Sequence, residues 1–272
     1  MPLAGVIGWP VGHSKSPRLH GYWLAEMRIA GHYVPLPVAP TDFADAVRML
    51  PKLGFAGANV TIPHKEAAFA VCDTVDPLAR RIGAVNTLVF RDGAIHGTNT
   101  DGYGFLANLQ DVAAAWRPGA GPAVLLGAGG AARAAAVALI DAGVPKLTLV
   151  NRTIDRAAVI AESLGPTVVA VGWDQVPEVL VGAALVVNTT SLGMVGQPAL
   201  EIDLGPCAPT TVVCDLVYAP LETPLLAAAR AHGLTTVDGI GMLLHQAVPG
   251  FEAWFGVRPT VTPALRAHVL GV

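Results

Sequence analysis

The run Ala123-Val124-Leu125-Leu126-Gly127-Ala128-Gly129-Gly130-Ala131-Ala132 is more informative than any other part of this chain. Its apolar start predicts a buried strand, and the glycines that follow predict a tight turn. The alanine-rich stretch from Ala131 to Ala142 predicts a helix. A strand, a glycine turn and a helix start, in that order, form the arrangement that binds a dinucleotide pyrophosphate. The glycines let the backbone approach the phosphates. The free N–H groups and positive end of the helix face the negative charge. A bare glycine fingerprint is weak in a chain this rich in glycine, but the context strengthens it. The next strand-like run, Lys146 to Val150, ends in Asn151-Arg152-Thr153, where such a unit reads the adenosine ribose.

No acidic residue stands within Asn151-Arg152-Thr153 to accept hydrogen bonds from the ribose 2′-hydroxyl of NAD. Arg152 and, one helical turn on, Arg156 occupy that region. Guanidinium groups bind a 2′-phosphate bidentately, so the expected cofactor is NADP. The plain alternative is a pair of solvated arginines at a helix start, where cations are mildly unfavourable unless an anion joins them.

A chain of 272 residues allows one large domain or two modest ones. It is 53% hydrophobic and only 14% charged, so it can bury a substantial core. A net charge of −3 gives no electrostatic case for nucleic acid or an anionic membrane. The cysteines, Cys72, Cys207 and Cys214, are odd in number and lack C-x-x-C spacing. That argues against a disulfide scaffold or a zinc site, and for reduced thiols in a reducing compartment. The N-terminus shows no basic and apolar leader, and no stretch reads as a transmembrane helix. The expectation is a cytoplasmic protein without a metal, monomeric or homodimeric, whose partner is a small molecule.

Strand-like and helical runs alternate throughout, which predicts an α/β protein with mainly parallel sheet. Expected helices include 17–30, 42–50 with Thr41 as cap, 65–71, 101–116, 240–255 and 263–270. Expected strands include 57–62, 167–171, 185–188 and 212–216. Residues 85–90 and 94–97 read as a hairpin around Arg91-Asp92-Gly93. Some hundred residues precede the glycine fingerprint, so a separate domain comes first.

That first domain carries three polar clusters at strand–helix junctions. In His13-Ser14-Lys15-Ser16-Pro17 the hydroxyls suit a carboxylate or a polyol; the plain alternative is a helix cap before proline. In Asn59-Val60-Thr61-Ile62-Pro63-His64-Lys65, alternation puts Asn59 and Thr61 on one strand face. Lys65 there is either functional or an ordinary surface lysine, and His64 reads as a bystander. The third cluster joins Asn86-Thr87 to Asn99-Thr100-Asp101-Gly102, where Asp101 suits a helix cap that also presents a carboxylate oxygen. Hydroxyls, amides, one lysine and one aspartate suit a small polyhydroxylated carboxylate. Interconverting an alcohol and a ketone needs a group that exchanges a proton with the oxygen while hydride moves. Lys65 is the natural candidate, with Asp101 to orient it.

Taken in order, these motifs resemble those of shikimate dehydrogenases, with Gly83-Ala84-Val85-Asn86-Thr87 and Asp238-Gly239-Ile240-Gly241-Met242 completing the series over essentially the whole chain. The resemblance implies NADPH-dependent reduction of 3-dehydroshikimate to shikimate, in aromatic amino-acid biosynthesis. It implies a substrate domain of residues 1–101 and 239–272, with C-terminal helices returning to it, and a Rossmann-type NADP domain of residues 102–238. Ser14 and Ser16, with Tyr218, would hold the substrate carboxylate. Asn59, Thr61, Asn86, Asp101 and Gln246 would bind ring hydroxyls, and Lys65 with Asp101 would form the catalytic pair. Gly127, Ala128, Gly129, Gly130 and Ala131 would cradle pyrophosphate, and Asn151, Arg152, Thr153 and Arg156 would read the adenosine end. Asn188, Thr189, Leu216, Gly239 and Met242 would line the nicotinamide side. Closing motions would hinge at Asp101–Gly102 and Asp238–Gly239. Relatives that oxidise quinate, often with NAD, share most of these motifs, and so would a non-catalytic sensor of the same ligands. The intact Ser-Lys-Ser and Asn151-Arg152-Thr153 favour shikimate and NADP; the intact Lys65 and Asp101 favour an enzyme.

Overall fold

The computed structural model describes residues Met1–Val272 as an α/β chain in two compact units. One unit comprises Met1–Asp101 and Leu243–Val272; the other comprises Gly102–Met242. The chain therefore crosses between units at Asp101–Gly102 and again at Met242–Leu243.

The first unit begins β1 (Leu3–Gly8), α1 (Ser16–Glu26), β2 (His32–Pro37), α2 (Phe43–Met49), β3 (Phe55–Val60) and α3 (Lys65–Val71). It continues with β4 (Thr74–Val75), α4 (Pro77–Ile82), β5 (Thr87–Arg91) and β6 (Ala94–Thr98), and α5 (Asp101–Val112) starts on its last residue. Its six-stranded sheet has the order β2-β1-β3-β5-β6-β4. β1 runs parallel to β2 and β3, whereas β5 is antiparallel to β3 and β6. The antiparallel register sets Asn59 opposite Thr87. The hairpin turn puts Asp92 and Gly93 at φ 54° and 77°, the left-handed region that Asp-Gly tolerates.

In the second unit β7 (Ala123–Leu126), α6 (Gly130–Asp141), β8 (Leu147–Val150), α7 (Ile154–Leu164), β9 (Val168–Val171) and α8 (Val176–Leu180) precede β10 (Leu185–Asn188). β11 (Val212–Asp215), α9 (Pro224–Ala231) and β12 (Thr235–Val237) follow; α10 (Ile240–Phe255) starts in this unit and, from Leu243, belongs with α11 (Pro263–Leu270) to the first. The order β12-β11-β10-β7-β8-β9 is parallel throughout. Both faces are buried: Leu125, Leu149 and Val187 face one apolar layer, and Val124, Val150 and Val186 the other. Strand order reverses between β7 and β10, and such a switch point leaves a crevice at the carboxyl ends of its strands.

Local boundaries depart from the periodicity at three places. α1 stops at Glu26 because Arg28 turns left-handed (φ 54°) and Ile29 N–H bonds back to Leu24 O at 2.9 Å. Glycine or asparagine announces such a stop; arginine does not. Thr41 does not cap α2: it lies inside a 3₁₀ turn, Pro40–Asp42, and its hydroxyl donates to the Asp42 carboxylate. α5 ends at Val112 because Trp116 turns its ring into the layer around Leu109 and Leu139, a packing effect that the helix-permissive alanines before it do not reveal.

Candidate active site

After β3 ends at Val60, His64 takes the N-cap position and sets Lys65 as the first residue of α3. His64 is buried, is stacked on Phe43, and makes a 2.8 Å hydrogen bond through Nε2 to the Val38 carbonyl. It is thus a strut that fixes the start of α3. The carbonyl of Lys65 accepts from Val85 N–H at 3.0 Å, which ties that start to the segment leading into Asn86.

Lys65 Nζ donates to Asp101 Oδ2 at 2.5 Å, with side chains 30% and 11% exposed. An ammonium and a carboxylate this close, and largely removed from water, need further hydrogen bonds to be tolerated. Asn86 Nδ2 supplies one to Asp101 Oδ1 at 2.8 Å. Asn86 is itself held, its Oδ1 accepting from Thr100 N–H at 2.9 Å and from Thr87 Oγ1 at 2.9 Å. Gln246, on α10, lies at the edge of the same network, with Oε1 3.4 Å from Thr100 Oγ1 and 3.5 Å from Asn86 Nδ2. Lys65, Asp101, Asn86 and Gln246 are therefore one cluster.

The other expected substrate residues are placed differently. Thr61 is half-buried just beyond β3, its N–H on Ile7 O and its carbonyl accepting from His64 N–H. Ser14 Oγ accepts weakly from Ser16 N–H at 3.3 Å, and Ser16 is buried at the start of α1. Lys15 between them reaches the C-terminal end of α11, donating to Val269 O at 3.3 Å, where a cation suits the helix dipole. Asn59 is buried and its amide is committed to the protein: Oδ1 accepts from Tyr33 at 2.7 Å, and Nδ2 donates to Thr87 Oγ1 and Asn86 O. Asn59 thus ties Tyr33 to Thr87 and Asn86 beside the cluster.

In the second unit the glycine loop fits a dinucleotide. Gly127 has φ 114°, and a Cβ there would meet Thr189 Oγ1 at 2.7 Å. Cβ atoms on Gly129 and Gly130 would enter open space, so these residues leave a bare backbone cradle. Gly129 caps α6 without any side-chain bond, which leaves the first N–H groups of a twelve-residue helix available to an anion. Arg152, Thr153 and Arg156 are exposed around the start of α7, and no acidic partner pairs with either arginine. Asn151 folds its amide onto Thr153 O at 2.8 Å. Arg152 also borders an open hollow of about 440 Å³ with Ile154, Trp173 and Gln175. The donor set fits an NADP phosphate.

Ala128, Leu216 and Met242 pack against one apolar layer. Gly239 passes so close to the β11 loop that a Cβ would collide with the Leu216 carbonyl oxygen. Thr189 hydrogen-bonds Leu126 O through both N–H and hydroxyl. Asn188 Oδ1 accepts from Thr190 N–H and hydroxyl, while Nδ2 donates to Leu192 O and Asp215 Oδ1. Asp215, wholly buried, also accepts from Val217 N–H at 3.0 Å and Thr223 Oγ1 at 2.7 Å. Burial raises its pKa, against those hydrogen bonds. Tyr218 follows on this loop, its phenol pKa also raised by burial. Asp215 is a residue that motif reading passed over. Its signal was a carboxylate closing an otherwise apolar strand, Val212-Val213-Cys214.

The three cysteines are free, no cluster of His, Cys, Asp or Glu could hold a metal ion, and no helix is long and apolar enough to cross a membrane.

Comparison with known proteins agrees with this geometry. Residues 6–88 match a family model described as the shikimate dehydrogenase substrate binding domain. Residues 119–195 match shikimate/quinate 5-dehydrogenase, and 239–267 the shikimate 5′-dehydrogenase C-terminal domain. The shikimate dehydrogenase (NADP(+)) of Rhodospirillum rubrum is 62% identical, over 99% of this chain and 97% of its own. Quinate dehydrogenase from Corynebacterium glutamicum, solved with NAD, is similar at TM-score 0.92 and 33% identity, covering 100% of this chain and 99% of that one. Shikimate 5-dehydrogenase from Thermus thermophilus, solved with NADP(H) and shikimate, is similar at TM-score 0.88 and 36% identity, with 100% and 99% covered. On this likeness of sequence and fold along its whole length, the chain belongs to the shikimate dehydrogenase family.

Proposed function

We propose that this protein is an NADP-dependent oxidoreductase that reversibly reduces 3-dehydroshikimate to shikimate. The observation that carries the reading is the Lys65–Asp101 pair at 2.5 Å, braced by Asn86 and bordered by Gln246. Lys65 delivers a proton to the substrate oxygen as the carbonyl becomes an alcohol, and takes it back in the reverse direction. Asp101 holds the ammonium in place and accepts from a ring hydroxyl. Asn59, Thr61, Asn86 and Gln246 orient the ring, and Ser14, Ser16 and Tyr218 bind its carboxylate. When bound, NADP supplies or accepts the hydride. The residues of the glycine loop, 127–131, hold its pyrophosphate. Arg152 and Arg156, with Asn151 and Thr153, hold its 2′-phosphate. Asn188, Thr189, Leu216, Gly239 and Met242 support the nicotinamide.

Residues 1–101 with the C-terminal helices form the substrate domain in this reading, and residues 102–238 the NADP domain. Three unpaired cysteines suit a cytoplasmic location. We expect a monomer or a homodimer, which sedimentation resolves. The deciding experiment is reduction of NADP and of NAD with shikimate and with quinate. Turnover confined to shikimate with NADP supports the reading. Turnover of quinate with NAD replaces it with the quinate branch. Binding of both ligands without turnover makes the chain a sensor.

A further inference from the structure

Trp254, near the end of α10, lies outside every motif from which the site was read, yet the first unit is built to receive it. Its indole Nε1 donates to Leu88 O, in β5, at 2.9 Å, and the residue is 5% exposed. Gly57, in β3, gives the indole room, since a Cβ there would collide with its nitrogen. Gly250, one turn earlier on the helix, clears the far edge of the ring; a Cβ there would meet Cη2 at 2.8 Å. Gln246, Gly250 and Trp254 are spaced by four and all are buried, so they form one stripe of α10. On the sheet, Gly57 and Asn59 are two apart on β3 and share a face, and Thr87 stands opposite Asn59 on β5. The indole is therefore seated beside the polar cluster. At the other end of the stripe, Gln246 Oε1 lies 3.4 Å from Thr100 Oγ1 and 3.5 Å from Asn86 Nδ2, the outer limit of a hydrogen bond. Pro249 falls between the two ends. A proline cannot donate to the carbonyl four residues back, so this is where α10 bends most readily. A helix that can bend after Gln246 needs a hold beyond the bend.

We propose that Trp254 is a positioning residue: seated in the socket of Gly57, Leu88 and Gly250, it fixes the distance of α10 from the sheet and so sets Gln246 on the ring hydroxyls of the substrate. This rests on the reading of shikimate as substrate. Trp254 acts through Gln246 and touches no reacting atom itself. Contacts of 3.4 and 3.5 Å leave no slack, and an outward shift of the helix by about 0.5 Å would part them. The indole cannot give way sideways, because the rings of His20 and Tyr33 stand against it, with centroids 5.7 and 6.0 Å away. Phenylalanine at 254 would fill part of the socket but withdraw the hydrogen bond to Leu88 O, leaving a smaller ring with no fixed seat. Alanine at 250 would act from the opposite side. Its methyl group would press on a ring that is boxed in, so the helix would have to move.

The test is steady-state kinetics and calorimetric binding with shikimate and NADP, on wild type, Trp254→Phe, Gln246→Ala and the double variant. Trp254→Phe should raise KM and Kd for shikimate about fivefold, with kcat changed less than about twofold and Kd for NADP unchanged. In the Gln246→Ala background the same substitution should change shikimate binding by less than about 1.5-fold, because its route of action is gone. A merely structural role would weaken shikimate equally in both backgrounds. Equal losses in the two backgrounds, or shikimate binding unchanged by Trp254→Phe, would overturn the proposal. Should Trp254→Phe fail to fold, Gly250→Ala carries the test with the indole kept. It should raise KM for shikimate, and the rise should vanish in the Gln246→Ala background; a wild-type KM, or a rise that persists without Gln246, overturns the proposal. Turnover of shikimate and NADP by the wild type, measured alongside, tests the parent reading separately: its absence removes shikimate as substrate, whereas the comparison of backgrounds bears on Trp254 alone.

Discussion

Lys65 is one of only four lysines in the chain, and it is the one set against a buried carboxylate. In the proposed mechanism, replacing it by alanine removes the proton-exchanging group but leaves Asn86 and Gln246 to bind the ring. Lys65→Ala should therefore lower kcat by about a hundredfold or more, with a smaller change in KM, in steady-state kinetics. Arg152 makes the complementary case. Its alanine variant should weaken NADPH by about tenfold or more and NADH by less than about twofold, because only NADPH carries a 2′-phosphate. Equal weakening would remove Arg152 from phosphate recognition. These side chains were legible in the sequence because polar residue types are conspicuous where an apolar strand meets a helix. Tyr33 was not, because a tyrosine in an apolar strand reads as core and its partner Asn59 is 26 positions away. His64 was half legible: the sequence made it a bystander to binding, and the structure adds its bond to Val38.

At the scale of elements, Asp215 holds together the loops that leave β10 and β11 and the start of α9. Thr223, which accepts from Leu226 N–H as the cap of α9, donates its own hydrogen to Asp215. Asp215→Ala strands these donors and should cost roughly 3 kcal/mol of stability. It should also weaken NADP binding, measured by calorimetry. Asp215→Asn keeps most acceptor geometry without a charge, and should be the more stable of the two variants in thermal melts at pH 7. The sign follows from burial. A folded-state pKa above the unfolded value means the folded chain binds a proton that the unfolded chain has lost. Through that window, stability from this group falls as pH rises, so charge at Asp215 opposes folding while its oxygens serve as acceptors. Elements with strong periodicity were legible, including α3, α10, α11 and β10. Short ones such as β4, α4 and β12 were not, since two to six residues carry too little pattern.

For the molecule as a whole, His20 contributes to the response to acid. It is fully buried among Trp23, Tyr33, Phe251 and Trp254, and burial depresses its pKa from 6.5 to about 3. The unfolded chain takes up a proton below pH 6.5 that the folded chain refuses. Stability from this residue is thus complete above about pH 6.5 and is lost as pH falls toward 3, at about 1.4 kcal/mol per pH unit. At pH 5 the loss should be about 2 kcal/mol. Denaturant titrations between pH 7 and 4 check this: His20→Phe should show a shallower pH slope than wild type, whatever its absolute stability. Two α/β layers with a glycine loop opening the second were legible from alternation and turn chemistry. The mixed sheet of the first unit was only partly so, because no local pattern tells that β5 returns antiparallel beside β3.

The return of residues 243–272 to the first unit has a consequence for how the protein is made. Trp254 on α10 donates to Leu88 O at 2.9 Å, and Phe251 packs against Trp23 on α1. During synthesis, residues 1–101 leave the ribosome without these partners and must wait for more than a hundred further residues. Residues 102–242 are contiguous and need nothing later in the chain to complete their sheet. The half read here as the cofactor domain is thus free to fold first, and the half that begins the chain finishes last.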